Sequence, residues 1–198
     1  MNVIGRLIKG VFFSTFLLTF LSIALVVSYK YSQENRVFLS MSDAQLRQII
    51  DVADVLCGAD GYFCPDGRLP VKYKLFAPYF LSRIPAFAHL AHGGYIKYGK
   101  DAHTINLPET LLGDKSMLTV VLAHELIHAK FSHPITYTMS DTNPIKCADH
   151  NNVRRLTVAK LEVIKATSDF EYLQDSDIYA YGNQIKPCKK TDVTLPIS

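Results

Sequence analysis

The chain has 198 residues, of which 48% are hydrophobic and 20% are charged, and its formal net charge is +3. This composition excludes a disordered chain, a collagen-like chain and a coiled coil. The length fits one compact domain with an appendage. Two of the 21 basic residues, Arg6 and Lys9, precede the first apolar run, which leaves 19 basic and 18 acidic residues after it. This balance lacks the basic surface of a nucleic-acid-binding protein, so we expect no nucleic-acid partner.

Residues 11–27 form an uncharged apolar run of 17 residues. In lipid such a run must form a helix, because every backbone group has to be paired internally, and its length is just sufficient to span a bilayer. It exceeds the roughly 7 to 15 apolar residues usual in a signal peptide, so an uncleaved anchor is favoured and a cleaved signal peptide is the alternative. We predict a cytoplasmic segment over 1–10, a transmembrane anchor over 11–27, a linker over 28–41 and one domain over 42–198.

The four cysteines bear on the compartment of that domain. Basic residues flank the apolar run on both sides, which gives only a slight preference for a cytoplasmic amino terminus. Four cysteines in an exported domain are typical of two disulfides, and the simplest of the three possible pairings joins Cys57 to Cys64 and Cys147 to Cys188. Reduced thiols in a cytosolic domain are the alternative. We therefore expect a single-pass membrane protein with its domain on the extracytoplasmic (periplasmic or luminal) side, or a secreted protein if the amino-terminal segment is cleaved.

Hydrophobic periodicity and turn residues predict an α+β domain. A first helix is expected over 43–56, opened by a capping box of Ser42 and Gln45, and a loop follows over 57–70. The predicted strands are 71–76, 86–88, 95–98 and 103–107, which would form a small, mostly antiparallel sheet. Two further helices are predicted over 116–132 and 153–175.

The most informative motif is His124-Glu125-Leu126-Ile127-His128. Histidines at i and i+4 lie one turn apart on the same face of a helix, so both imidazoles can reach one zinc ion at about 2.0–2.1 Å. Glu125 is rotated by about 100° from His124, which places its carboxylate beside the metal, where it can hold a water molecule. Zinc lowers the pKa of that water, Glu125 accepts its proton, and the hydroxide attacks a carbonyl that the metal polarises.

A catalytic zinc needs a third protein ligand and an open position for water. His133 lies about 140° round a straight helix from His128, which disfavours it. The predicted last helix offers two carboxylates: Glu171 lies on the flank of the buried side, whereas Glu162 projects roughly opposite. Glu171 is therefore the preferred ligand. Asp175, one turn beyond it, could accept a hydrogen bond from the ring N–H of a ligating histidine.

Taken together, these segments resemble the gluzincin zinc metallopeptidases of the membrane-associated HExxH type, the Ste24/HtpX/Oma1 group. The resemblance covers about residues 71–180. It rests on Ala86-Phe87-Ala88, Gly93-Gly94-Tyr95-Ile96, the run from Val120 to His128 with His133 following, and Glu171-x-x-x-Asp175. It implies a zincin-like fold with one Zn²⁺ per chain, held by His124, His128 and Glu171. It also implies Glu125 as the catalytic base and a substrate-binding strand at Gly94, Tyr95 and Ile96. The chain departs from the family pattern at Pro85, where Asn is usual, and at Ile127, where Gly is frequent.

We therefore expect a membrane-anchored zinc endopeptidase that hydrolyses protein or peptide bonds. Two alternatives stay open: a catalytically silent zincin-fold binding module at the cell envelope, and a zinc hydrolase of small or cell-wall peptides. Stabilising the transition state requires a hydrogen-bond donor near the developing oxyanion. Tyr179, Tyr181 and His150 are candidates for that role, and the sequence singles out none of them.

Overall fold

The computed structural model of the protein describes residues 3–65, 69–80, 93–131 and 144–182. Over these ranges the chain is α+β, with five α-helices and a four-stranded sheet. The chain divides into two compact units: Met1–Val37 with Ala77–His92, and Phe38–Phe76 with Gly93–Ser198. The predicted α+β class is confirmed at this level.

The first unit contains the long amino-terminal helix α1 (Val3–Glu34). Its segment Phe13–Ser32 is long and apolar enough to cross a membrane, although a signal sequence near the amino terminus passes the same test. Two hydroxyls within this segment bond to its own backbone: Thr19 and Ser22 donate to carbonyl groups one turn earlier, at 2.9 and 2.8 Å. These two hydroxyls therefore need no water, which suits a helix in lipid.

The second unit contains the sheet, formed by β1 (Phe38–Leu39), β2 (Val71–Phe76), β3 (Tyr95–Lys97) and β4 (His103–Pro108). Its strand order is β1-β2-β4-β3. β1 and β3 pair antiparallel with β2 and β4, but β2 and β4 are parallel over six residue pairs. The sheet is therefore mixed, and the prediction of a mostly antiparallel sheet missed its longest pairing. Alternation within a strand reports which face is buried and leaves the direction of its partner open. The predicted strand at 86–88 lies outside the described residues.

The described part of the second unit also contains four α-helices: α2 (Asp43–Ala59), α3 (Lys115–Phe131), α4 (Pro144–Ile164) and α5 (Asp175–Gly182). The predicted capping box opens α2, since Ser42 accepts from the Gln45 backbone N–H and the Gln45 side chain accepts from that of Ser42. α3 contacts α2, α4, α5 and β3. Its side chains from Leu118 to Ala129 are all buried. The helix that carries the HExxH motif is therefore the centre of the core.

The predicted helix over 153–175 is wrong in extent, because α4 begins nine residues earlier, at Pro144, and ends at Ile164. Thr167 adopts an extended conformation, and its hydroxyl donates to the Ile164 carbonyl at 2.7 Å. Threonine, serine and aspartate side chains compete for backbone groups in this way and weaken a helix interior. A short 3-10 helix, Ser168–Phe170, and a turn then separate α4 from α5.

α2 ends at Ala59, three residues beyond the predicted end at 56, so Cys57 lies in the helix and not in the predicted loop. A disulfide joins it to Cys64 in the loop that follows, with the two Cα atoms 4.6 Å apart. This confirms the predicted pairing of these two cysteines. Within the loop Phe63 is fully buried, and Asp60 forms an ion pair with Lys160 of α4 at 2.9 Å. The side chains of Cys147 and Cys188 lie outside what the structure describes, so their pairing stays a prediction.

Candidate metal centre

Three histidine side chains converge between α3 and α4. His124 and His128 come from α3 and His150 from α4, and their ligand atoms all lie within 4.8 Å of one another. The Nε2 atom of His124 is 3.0 Å from Nε2 of His128 and 3.3 Å from Nε2 of His150. Nitrogens bonded to one tetrahedral zinc ion lie roughly 3.3–3.4 Å from each other. The three imidazoles are thus close enough to hold one metal ion, and such a set leaves a fourth position open.

A threonine of α4 lies against the nitrogen of His124 that faces away from the other two histidines. The Thr157 hydroxyl donates its hydrogen to the Val153 carbonyl at 2.7 Å and lies 3.4 Å from Nδ1 of His124. A hydroxyl has one hydrogen, so toward His124 its oxygen acts as an acceptor. This arrangement favours the tautomer of His124 with its proton on Nδ1, in which Nε2, facing the other histidines, has the lone pair that a metal requires.

The lowered pKa of His124 also favours the uncharged imidazole that metal binding requires. Burial lowers the pKa of His124 well below its ordinary value, and the neighbouring His128, His150 and Arg154 lower it further. A metal binds neutral imidazole and competes with protons for it. At neutral pH the centre therefore presents this histidine in the form that binds metal.

Glu125 is buried next to the cluster, and two tyrosines respond to its charge. Burial raises the pKa of both Tyr98 and Tyr181, and the carboxylate of Glu125 raises each further. Tyr98 donates to the His128 carbonyl at 3.3 Å, while the Tyr181 ring meets the His124 ring edge-on, with centroids 5.2 Å apart. Both hydroxyls are therefore protonated at neutral pH and remain hydrogen-bond donors.

The predicted substrate strand lies beside the HExxH helix. β3 ends the strand order of the described sheet, and it contacts α3. Gly94, immediately before β3, packs against the side chains of Val121 and Glu125 of α3 and Leu107 of β4. The structure thus brings the Gly94-Tyr95-Ile96 segment next to Glu125, and whether substrate binds there stays a prediction.

The preferred third ligand, Glu171, is not part of this cluster. It is exposed in the turn after the 3-10 helix Ser168–Phe170, and it does not join the three histidines as a group able to hold an ion. Its choice rested on helical periodicity through residue 175, and α4 ends at Ile164. Asp175 opens α5, is exposed and forms an ion pair with Lys165, and its role in orienting a ligating histidine stays a prediction. Glu162 is exposed on α4, and His133 lies outside the described residues.

His150 is the metal-binding candidate that the sequence did not single out for that role. Because the predicted helix began at 153, His150 was left off the helix face that carries the buried residues Val153, Thr157 and Leu161. Residues 150, 153, 157 and 161 recur at the spacing of one helix face. Polar residues at 150 and 157 within an apolar stripe were thus the available signal.

Comparisons of the chain with protein-family models, with curated proteins and with solved structures gave no match. The function is therefore inferred from the geometry and chemistry of this centre.

Proposed function

We propose that the protein is a zinc-dependent peptidase of zincin-like architecture whose metal centre is His124, His128 and His150, with Glu125 as general base. The observation that carries the proposal is the convergence of three Nε2 atoms, with separations of 3.0 and 3.3 Å from His124, beside a buried glutamate. Imidazole ligands suit several transition metals. The HExxH arrangement, two histidines with an intervening glutamate on one helix, is typical of hydrolytic zinc.

Zinc bound by these histidines would polarise the scissile carbonyl and lower the pKa of a water molecule. Glu125 accepts the proton of the attacking water and returns it to the leaving nitrogen, so one carboxylate serves as base and then as acid. Tyr181, whose ring packs against His124 and whose hydroxyl stays protonated because burial raises its pKa, would donate a hydrogen bond to the developing oxyanion. An extended peptide pairing with β3 would lie alongside Glu125.

We place this activity on an anchored protein whose domain faces an oxidising compartment. Segment Phe13–Ser32 of α1 would serve as the single span. The Cys57–Cys64 disulfide supports an extracytoplasmic location, since disulfides persist in the periplasm or in luminal and extracellular spaces. The substrates would then be proteins or peptides of that compartment.

Metal content tests the ligand set. We expect one zinc per wild-type chain after loading and dialysis, loss of that zinc in His150→Ala, and retention in Glu171→Ala. Glu171→Ala is the matched control, because it removes a side chain that the sequence favoured and the structure places in an exposed turn. Zinc retained in His150→Ala and lost in Glu171→Ala would return the third ligand to Glu171.

Hydrolysis of a denatured protein tests the catalytic role. Glu125→Gln should bind zinc normally and lose activity by about 10²–10⁴-fold, the usual contribution of a general base. Unchanged turnover in this variant would contradict the mechanism even if zinc is present.

A metal-binding module without catalysis is the second candidate, and the burial of the centre favours it. The side chains of His124, Glu125 and His128 are only 2%, 4% and 4% exposed, so a substrate can reach them only if the covering residues move. A zinc-loaded wild-type protein that cleaves neither denatured proteins nor short and cell-wall peptides would establish this alternative. Cleavage of short peptides alone would instead define a small-peptide hydrolase.

A further inference from the structure

Tyr79 packs against the carboxyl-terminal part of the apolar helix α1. Its hydroxyl lies 2.6 Å from the Ser28 hydroxyl, and its ring meets the Tyr29 ring edge-on with centroids 5.4 Å apart. The Tyr79 side chain is only 4% exposed. The backbone N–H of Ala77 donates to the Val37 carbonyl at 2.9 Å. The short segment Ala77–Phe80 is therefore positioned by this backbone hydrogen bond and by the side-chain contacts of Tyr79.

The next residue, Phe80, packs on the Tyr79 ring at 4.9 Å and yet is 62% exposed. A single exposed phenylalanine is unremarkable on a soluble surface. This one, however, is attached to a residue that contacts Ser28, which lies four residues before the end of the apolar segment at Ser32. Four helical residues correspond to about 6 Å along the axis. If α1 crosses a bilayer, Tyr79 and Phe80 therefore lie at the depth of the headgroup and upper acyl region.

We propose that Ala77–Phe80 is a second membrane contact, in which Phe80 inserts into the interfacial layer of the bilayer that α1 spans. Tyr79 carries its polar hydroxyl and apolar ring to the same level, which is where tyrosine is enriched in membrane proteins. The contact gives the exposed Phe80 ring an apolar environment. The proposal rests on the anchoring role of α1 in the proposed function and is independent of the metal centre.

The absence of tryptophan from the sequence makes the test direct. The full chain with Phe80→Trp, reconstituted in phosphatidylcholine vesicles, should show blue-shifted emission that is quenched by lipids brominated near the headgroup. Unbrominated vesicles are the control for quenching. Val26→Trp, on the exposed surface of the apolar segment, is the control for anchoring. Adding Tyr79→Phe to Phe80→Trp removes the hydroxyl that meets Ser28 and should weaken the quenching.

The outcomes are distinguishable. Quenching of both Phe80→Trp and Val26→Trp supports the second contact. Quenching of Val26→Trp alone, with Phe80→Trp accessible to aqueous acrylamide, overturns it and leaves the anchor intact. Phe80→Trp protected from acrylamide but not quenched by lipid also overturns it, because protein would then cover the ring. Quenching of neither variant overturns the anchor and the second contact together.

Discussion

Gly94 approaches Glu125 so closely that a Cβ atom on its backbone would lie 3.2 Å from Cγ of the glutamate. The same atom would lie 2.8 Å from Cγ1 of Val121 and 3.1 Å from Cδ2 of Leu107. For Gly93, one residue earlier, a Cβ atom would have no atom of the described residues within 4 Å. The absence of a side chain at Gly94 therefore sets the distance between the segment before β3 and the HExxH helix.

Gly94→Ala should lower hydrolytic activity while zinc content stays normal. The added methyl group forces a shift of Val121, Glu125 or the strand itself, and a catalytic group displaced by about 1 Å can lose on the order of 10²-fold in rate. Turnover and zinc content of Gly94→Ala are compared with those of Gly93→Ala, which should resemble the wild type. Equal activity in the two variants would show that the approach of Gly94 to Glu125 is unimportant for catalysis.

Thr157→Val should weaken zinc binding about 10- to 100-fold, the usual effect of removing a partner that orients a ligand. Valine has nearly the same shape but cannot accept the hydrogen bond from Nδ1 of His124. Thr157→Ser keeps the hydroxyl and should bind zinc almost as the wild type does. Competition with a chromophoric chelator measures the affinities.

Thr119→Val is the matched control for this change, because Thr119 is also fully buried in a helix and donates to a carbonyl one turn earlier, at 2.8 Å. Its hydroxyl bonds to the Lys115 carbonyl and to the Tyr172 hydroxyl, neither of which belongs to the histidine cluster. Equal losses of affinity in Thr119→Val and Thr157→Val would assign the effect to general destabilisation.

The metal-free protein should become less stable as the pH falls below about 6.5, the ordinary pKa of histidine. Burial holds the pKa of His124 in the folded protein well below that value, so between the two pKa values only the unfolded chain is protonated at this residue. Stability is then complete above the unfolded-state pKa and decreases by up to about 1.4 kcal/mol per pH unit below it.

Urea unfolding of the metal-free protein across this range measures the effect, and His124→Gln is the reference because glutamine does not titrate. The variant should show a shallower dependence on pH than the wild type. Parallel curves for the two proteins would contradict the assignment of this dependence to His124.

Removing the Cys57–Cys64 disulfide with a Cys57→Ser/Cys64→Ser double variant should cost about 2–3 kcal/mol of stability, as expected for a short closed loop. For a chain of this size that corresponds to a decrease in Tm of roughly 5–10 °C. The loop holds Phe63 in the core, and Asp60 pairs with Lys160 of α4, so the loss should also loosen the helix that carries His150. Calorimetry of the wild type and the double variant, both under oxidising conditions, measures the change in Tm. An unchanged Tm would show that these loop contacts maintain the stability without the disulfide.

Locally encoded parts of the fold were predictable. β2 has the predicted bounds Val71–Phe76, and α3 (Lys115–Phe131) is displaced by one residue from the predicted 116–132. In both cases a periodic apolar pattern is bounded by Pro, Gly or Asp. The two-residue strand β1 and the parallel pairing of β2 with β4 depend on distant partners, and nothing in their own residues reports those.

The same distinction applies to the candidate metal centre. His124 and His128 are one turn apart on α3, so their convergence follows from helix geometry alone. His150 reaches them only because α4 packs on α3, and its helix begins at Pro144, earlier than the apolar pattern indicated. The convergence of the two histidines on α3 was therefore predictable, whereas the position of the third depends on tertiary packing.

The parallel register of β2 and β4 also has a consequence for the order of folding. Each residue of β2 pairs with one 32 positions later, from Val71↔His103 to Phe76↔Pro108. Such non-local pairing forms slowly, because a long stretch of chain must lose conformational entropy before the strand contacts can stabilise it. We therefore expect the sheet to close after the helices have formed.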